Sequence, residues 1–210
     1  MNIALFLQMA AEACPERTAL SCLGKHYNYA ELFKAAKRAA FLFSKSNCRF
    51  VSLLDNSSPA TPVALMGASI AGIPYVPLNY RLSKEQMIPL LDRISPSYLI
   101  MGGDSEVYRP DGCTLKNSSD FIQEALSGEE TEITWNDDPT AIAVQIFTSG
   151  TTGRPKAALL RHEHLVSYIL GSVEFMGALA TEAALVSVPP YHIAGISAVI
   201  SNIYACRRIV

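Results

Sequence analysis

The residues from Thr148 to Lys156, within the stretch "IFTSGTTGRPKAAL", have the makings of a polyphosphate grip. Thr148, Ser149, Thr151 and Thr152 each offer a hydroxyl, and every residue from Thr148 to Arg154 offers a backbone N–H. Gly150 and Gly153 permit positive φ and close approach, so successive amides can turn inward as an anion nest. Pro155 restrains the exit, and Lys156 adds a full positive charge. The order Gly150-x-x-Gly153-x-x-Lys156, with Ala157 next, is neither the Walker string nor G-x-G-x-x-G. Kinase and dinucleotide readings therefore lose their main support. The plain alternative is a Ser/Thr/Gly surface turn.

A second constellation lies in "PPYHIAGISAV", Pro189 to Val199, where Tyr191 and His192 precede an apolar run. Taken alone, a histidine beside apolar residues fits a packed core position at least as well as a ligand contact. His162 and His164 stand two apart and do not share a helix face, so they read as the polar start of a helix rather than a metal pair. The five cysteines (Cys14, Cys22, Cys48, Cys113, Cys206) are scattered and form no CxxC pair. No metal-ligating residue is expected, and reduced thiols in a cytoplasmic protein fit best.

The elements around these residues follow from periodicity. A first amphipathic helix closes at Pro15. From Tyr29 to Ser44, the apolar positions Tyr29, Leu32, Phe33, Ala36, Ala40 and Phe43 recur at helical steps, with Lys34, Lys37 and Arg38 facing water. "RFVSLL" reads as a buried strand, Ala60 to Ala71 as an all-apolar helix ending at Gly72, and "YVPLN" as a short strand. Ser83 with Gln86 makes a capping box for the next helix, which Pro89 should kink or shorten. "SYLIMG" is a strand, and the polar stretch from Asp104 to Asp138 has room for one short helix near Ser119 to Leu126. Then come a strand Thr140 to Phe147, the glycine loop, a helix from His162 to Met176, a strand near Leu185 and a helix from Ala194 to Ala205. This alternation predicts an α/β fold with a mainly parallel sheet flanked by helices. Ligands in such sheets sit at the carboxyl ends of strands, which is where the glycine loop begins.

With these residues in place, the chain resembles the adenylate-forming (AMP-binding) superfamily, in its acyl- and aryl-CoA ligase branch. "FTSGTTGRPKAAL" is similar to that family's phosphate-binding signature. "CPERTAL", "LMGASIAGIPYVPLNYRLSKEQM", "DDPTAIAVQIF", "RHEHL" and "PPYHIAGISAV" stand in the family's order around it, so the resemblance covers nearly the whole chain. Ala157-Ala158 departs mildly from the usual Gly-Val.

The resemblance implies that a carboxylate attacks the α-phosphate of ATP, with Mg2+ present, and that the acyl group then passes to coenzyme A. It assigns Thr148, Ser149, Gly150, Thr151, Thr152, Gly153, Arg154, Pro155 and Lys156 to the β- and γ-phosphates. Lys156 and His192 become the catalytic candidates, and Tyr191, His192 and Gly195 the contacts to the acid. The "PPYHIAGISA" segment has no aspartate for a substrate ammonium, which favours a plain carboxylic acid over an amino acid. It further implies that residues 1–210 are an incomplete N-terminal AMP-binding domain, without the later part of the large domain and the C-terminal domain, and inactive alone. A binding module with weak nucleotide affinity, or one completed by a second chain, is the alternative.

Composition sets the outer limits. The chain has 210 residues, 50% hydrophobic and 17% charged, enough to bury a sizeable core. A net charge of −2 gives no nucleic-acid or anionic-membrane surface. No apolar run approaches the roughly 20 residues of a membrane span, and the N-terminus lacks the basic region of a signal peptide. The apolar end "ACRRIV" suggests an open sheet edge, through which self-association or pairing is expected.

Overall fold

The computed structural model describes residues 1–103, 111–128, 132–148 and 155–210. The elements run α1 (Ala4–Ala13), β1 (Thr18–Cys22), β2 (Lys25–Asn28), α2 (Tyr29–Lys45), β3 (Phe50–Leu54), α3 (Ala60–Ala71), β4 (Tyr75–Pro77), α4 (Lys84–Arg93) and β5 (Ser97–Met101). They continue with β6 (Thr114–Asn117), α5 (Ser118–Ser127), β7 (Ile142–Thr148), β8 (Lys156–Arg161), α6 (His162–Ser172), β9 (Ala183–Ala184), α7 (Ile193–Tyr204) and β10 (Arg208–Ile209).

Local chemistry sets the helix ends. The Asn28 side chain accepts from the Glu31 N–H at 2.8 Å, and the Glu31 carboxylate accepts from the Asn28 N–H at 2.8 Å. This reciprocal cap starts α2. Ser83 and Gln86 cap α4 in the same manner, and Gly72 ends α3 at a left-handed φ of 70°. Pro89 neither breaks nor shortens α4, which runs on to Arg93. Glu85 and Pro89 lie on its exposed side, where water can take the carbonyl that the proline leaves without a donor. Lys37 and Arg38 are half-buried rather than fully in water, their cations 5.1 and 5.3 Å from the Phe33 and Phe41 ring centroids. Long basic stems cover apolar surface in this way.

The larger sheet has the order β6-β5-β3-β4-β7-β8 and is parallel except for the last pair, β7 with β8. The smaller has the order β2-β1-β10-β9, with β1–β2 antiparallel and the other pairs parallel. One continuous core, including Leu20 and Ile209 from the small sheet and Val51 and Tyr75 from the large one, joins both sheets through α1, α2, α3 and α7. The other face of the large sheet is covered by α4, where Met87 and Leu91 pack on Leu54, Val76, Leu99 and Met101. The expected α/β architecture is therefore present. At the α2–α3 crossing a Cβ on Gly67 would stand 2.7 Å from the Ala39 Cβ and 3.0 Å from the Ala36 carbonyl. Glycine there sets the distance between the two helices.

Several elements differ from the sequence reading. The β1–β2 hairpin, turning at Leu23 and Gly24 with φ of 49° and 77°, was not anticipated, nor was β6. Helix α6 stops at Ser172, short of Met176, which itself has a positive φ of 55°. The last strand is not an open edge: β10 lies between β1 and β9, and β2 and β9 form the edges of that sheet among the described residues. No described helix is long and apolar enough to cross a membrane.

Candidate functional site

Between the glycine loop and the helix expected from His162 lies a strand, β8, that the periodicity did not show. The loop closes a hairpin: β7 and β8 pair antiparallel, and the last rung joins Thr148 to Lys156. Both residues are solvent-exposed. The Thr148 hydroxyl donates to the Lys156 carbonyl only at 3.4 Å, a long bond that leaves the group available for a ligand. Ser149, Gly150, Thr151, Thr152, Gly153 and Arg154 lie outside the described residues, while Pro155 is half-buried at the exit. Strand β8 escapes a periodicity search because it is an edge strand whose burial does not alternate cleanly; Leu159 is 49% exposed.

The connections set where a ligand can sit. The β3–α3–β4 crossover covers one face of the large sheet and β4–α4–β5 the other, so a crevice opens outside the carboxyl ends of β3 and β4. After β3, the Asp55 carboxylate accepts from the Ser118 hydroxyl at 2.6 Å, the Asn56 N–H at 2.7 Å and the Ser58 hydroxyl at 2.9 Å. A Cβ on Gly102 would overlap that carboxylate. With three donors engaged, Asp55 ties the turn after β3 to the start of α5.

After β4 comes Tyr80. Its ring meets Tyr191 edge-on, with centroids 5.3 Å apart at 77°, and the Tyr191 ring lies 4.6 Å from that of His192. The Arg81 guanidinium stands 5.7 Å from the Tyr80 centroid. Tyr191 is buried and His192 exposed.

His192 is the N-cap of α7. Its carbonyl accepts from the N–H groups of Gly195 and Ile196 at 3.0 and 3.2 Å, while its imidazole makes no capping bond. The ring thus stands beside the positive end of a 12-residue helix. Gly195 is buried in the first turn, where a Cβ would come within 2.6 Å of the Pro189 carbonyl. It also lines a mostly apolar pocket of about 60 Å³ with Thr61, Val188, Pro190 and Val199.

Tyr191, His192 and Gly195 are therefore gathered at one helix start, with Tyr80 behind them. Tyr80 and Phe147, the residue before Thr148, are both partly buried on the α4-side cluster, which connects this group to the root of the hairpin. Sequence reasoning did not single out Tyr80. The signal was present, since "YVPLNY" runs past the carboxyl end of a strand, where ligands gather in such sheets.

His162 and His164 each accept from a backbone N–H. His162, expected at a polar helix start, is 2% exposed. Its Nδ1 accepts from the Ile3 N–H at 3.3 Å. Burial, with the N-terminal ammonium adding to it, pulls its pKa down to about 4. The Asn2 side chain completes this clasp by donating to the carbonyls of Ser69 at 2.7 Å and Asn136 at 2.8 Å. His164 is exposed and its Nδ1 accepts from the Arg161 N–H at 3.3 Å. Among the described residues no group of three or more His, Cys, Asp or Glu is placed to hold a metal ion. None of the five cysteines is joined in a disulfide.

Comparison with known proteins bears on the fold and the family. The chain is 29% identical over 208 residues to a 2-succinylbenzoate–CoA ligase of Bacillus velezensis, covering 94% of this chain and 41% of the ligase. The fold matches the N-terminal domain of FACL13 from Mycobacterium tuberculosis with a TM-score of 0.84 at 21% identity, over 99% of this chain and 56% of that one. It also matches the o-succinylbenzoate coenzyme A synthetase of Bacillus subtilis in complex with ATP and magnesium ion, with a TM-score of 0.74 at 22% identity, over 98% of this chain and 56% of that one. The chain thus spans less than half the length of the curated ligase it matches. The family model for AMP-binding enzymes matches residues 7–210, and the chain belongs to that family.

Proposed function

We propose that the chain is the N-terminal portion of an enzyme that activates a carboxylic acid with ATP and then transfers the acyl group to coenzyme A. A carboxylate oxygen attacks the α-phosphorus, the bond to the bridging oxygen of the β-phosphate breaks, and pyrophosphate leaves with that oxygen. The thiol then attacks the acyl carbonyl and AMP departs. The observation that carries this reading is the pairing of exposed Thr148 and Lys156 at the root of a Ser/Thr/Gly loop.

That loop ends a strand of a mainly parallel sheet, where aligned donors can offset the charge of a departing pyrophosphate. Lys156 and the Thr148 hydroxyl would grip the β- and γ-phosphates, with Ser149, Gly150, Thr151, Thr152, Gly153, Arg154 and Pro155 completing the loop. Mg2+ would neutralise part of the triphosphate charge when bound. His192, exposed at a helix start, would contact the substrate carboxylate, with Tyr191 holding its ring. Gly195 and the small apolar pocket it lines suit the first carbons of the acid. The absence of an acidic residue from Pro189 to Ala198 supports a plain acid over an amino acid.

A second reading, a module that grips nucleotide without completing turnover, draws on the share of the ligase's length that the chain spans. Calorimetry of the 210-residue chain with Mg-ATP tests what the two readings share. Binding that is weakened about tenfold or more by Lys156→Ala is expected from the loss of a charge-assisted contact. Binding indifferent to that change would remove the basis of both.

A further inference from the structure

We propose that Arg93 is a positioning residue that holds the root of the phosphate hairpin, an inference that rests on the nucleotide reading above. Arg93 is the last residue of α4 and lies on the sheet face opposite the main core. Its guanidinium carbon stands 5.0 Å from the centroid of the Phe147 ring, and its Nη1 donates to the Pro155 carbonyl at 2.6 Å. Phe147 immediately precedes Thr148, and Pro155 immediately precedes Lys156. One side chain thus touches both stems of the hairpin just at the rung that pairs Thr148 with Lys156.

The chemistry of arginine suits this task. A planar guanidinium can lie against a ring by its face while its in-plane N–H groups donate sideways, whereas a lysine ammonium is a point charge without such a plane. Phe147 is itself partly buried on the Leu54–Val76–Met101 cluster, so the platform under Arg93 is anchored in packed core. Pro155 has no N–H, and its carbonyl is the only main-chain polar group it can use to be held. Gripping that carbonyl orients the peptide plane that leads into Lys156. The stems are then set before any nucleotide arrives, and less ordering is left for the binding step. Arg93 also places a second cation within one residue of the phosphate-facing lysine along the chain of contacts.

Two measurements test the inference separately from the reading it rests on. Backbone hydrogen exchange is followed for residues 142–148 and 156–161 in ligand-free protein, and Mg-ATP affinity by calorimetry. The proteins are wild type, Arg93→Met, Arg93→Lys, Phe147→Leu, the Arg93→Met/Phe147→Leu double variant and Lys156→Ala. Arg93→Met should speed exchange at the hairpin root about fivefold or more while exchange in α2 and α3 stays as in wild type. It should also weaken Mg-ATP binding by about three- to tenfold, because the stems must then be ordered at the binding step. Arg93→Lys should recover part of both, and Phe147→Leu should add little once Arg93 is gone, because the two act as one unit.

Wild-type exchange in Arg93→Met overturns the clamp, whatever the nucleotide does. Faster exchange with unchanged Lys156-dependent affinity overturns its bearing on the nucleotide. Faster exchange in a protein that binds no nucleotide, or binds it independently of Lys156, upholds the clamp and overturns the nucleotide reading.

Discussion

The Tyr80 ring stands edge-on to the Tyr191 ring, 5.3 Å between centroids, and so joins the end of β4 to the start of α7. The two segments are more than a hundred residues apart in the chain. The contact makes the Tyr191–His192 pair part of the crevice rather than an isolated surface feature.

Replacing Tyr80 by Ala should therefore act on His192 at a distance. An aromatic pair of this geometry contributes about 1 kcal/mol beyond its buried area. The expected result is a small loss of stability together with a shift of the His192 imidazole resonances, since Tyr191 loses its support. Tyr80→Phe keeps the ring and should leave both unchanged. A His192 spectrum that ignores Tyr80→Ala would show that the contact does not position the histidine.

Gly67→Ala should invert the usual rule for helices. In an exposed helix interior the change stabilises by roughly 1 kcal/mol. Here the added methyl meets the Ala39 Cβ and the Ala36 carbonyl, and backbone of α2 cannot move aside cheaply. A net loss of about 1 to 3 kcal/mol is expected from overpacking. Urea unfolding of the two proteins decides the sign, and a stabilised variant would mean that the crossing is looser than described.

His162 predicts a pH dependence with a definite sign. Its folded pKa lies near 4, below the ordinary value of 6.5, because the ring is buried beside the N-terminal ammonium. Between those two values the unfolded chain holds the proton and the folded one does not. Stability is then fully present above about pH 6.5 and falls as the pH drops toward 4. His162→Asn can still accept from Ile3 and does not titrate, so its stability should change less across this window. Melting curves from pH 7.5 downward, compared between the two proteins, give the measurement; parallel curves would contradict the assignment.

Lys156 carries the functional prediction. Exposed at the hairpin root, it takes no part in the core, so Lys156→Ala should leave the melting temperature within a degree or two while Mg-ATP binding falls about tenfold or more. A large loss of stability instead would mark Lys156 as a structural residue of β8.

Helix α2, the Gly72 stop and the Ser83–Gln86 box were legible in the sequence because each depends on residues a few positions apart. The same holds for the family, because the residues that carry the resemblance, the Thr148–Lys156 stretch among them, stand in short contiguous strings. Long-range pairing was not legible in this way. Strand β8 exists because β7 offers it a partner, and the two-residue strands β9 and β10 exist because β1 begins a ladder for them. His162 looked polar beside Glu163 and His164, and only the clasp formed by Ile3 and Asn2 buries it. The meeting of Tyr80 with Tyr191, and the reach of Arg93 across both hairpin stems, likewise belong to the tertiary structure. A side chain's local sequence determines what it can offer; which groups it faces is set by the packing of segments that lie far apart in the chain.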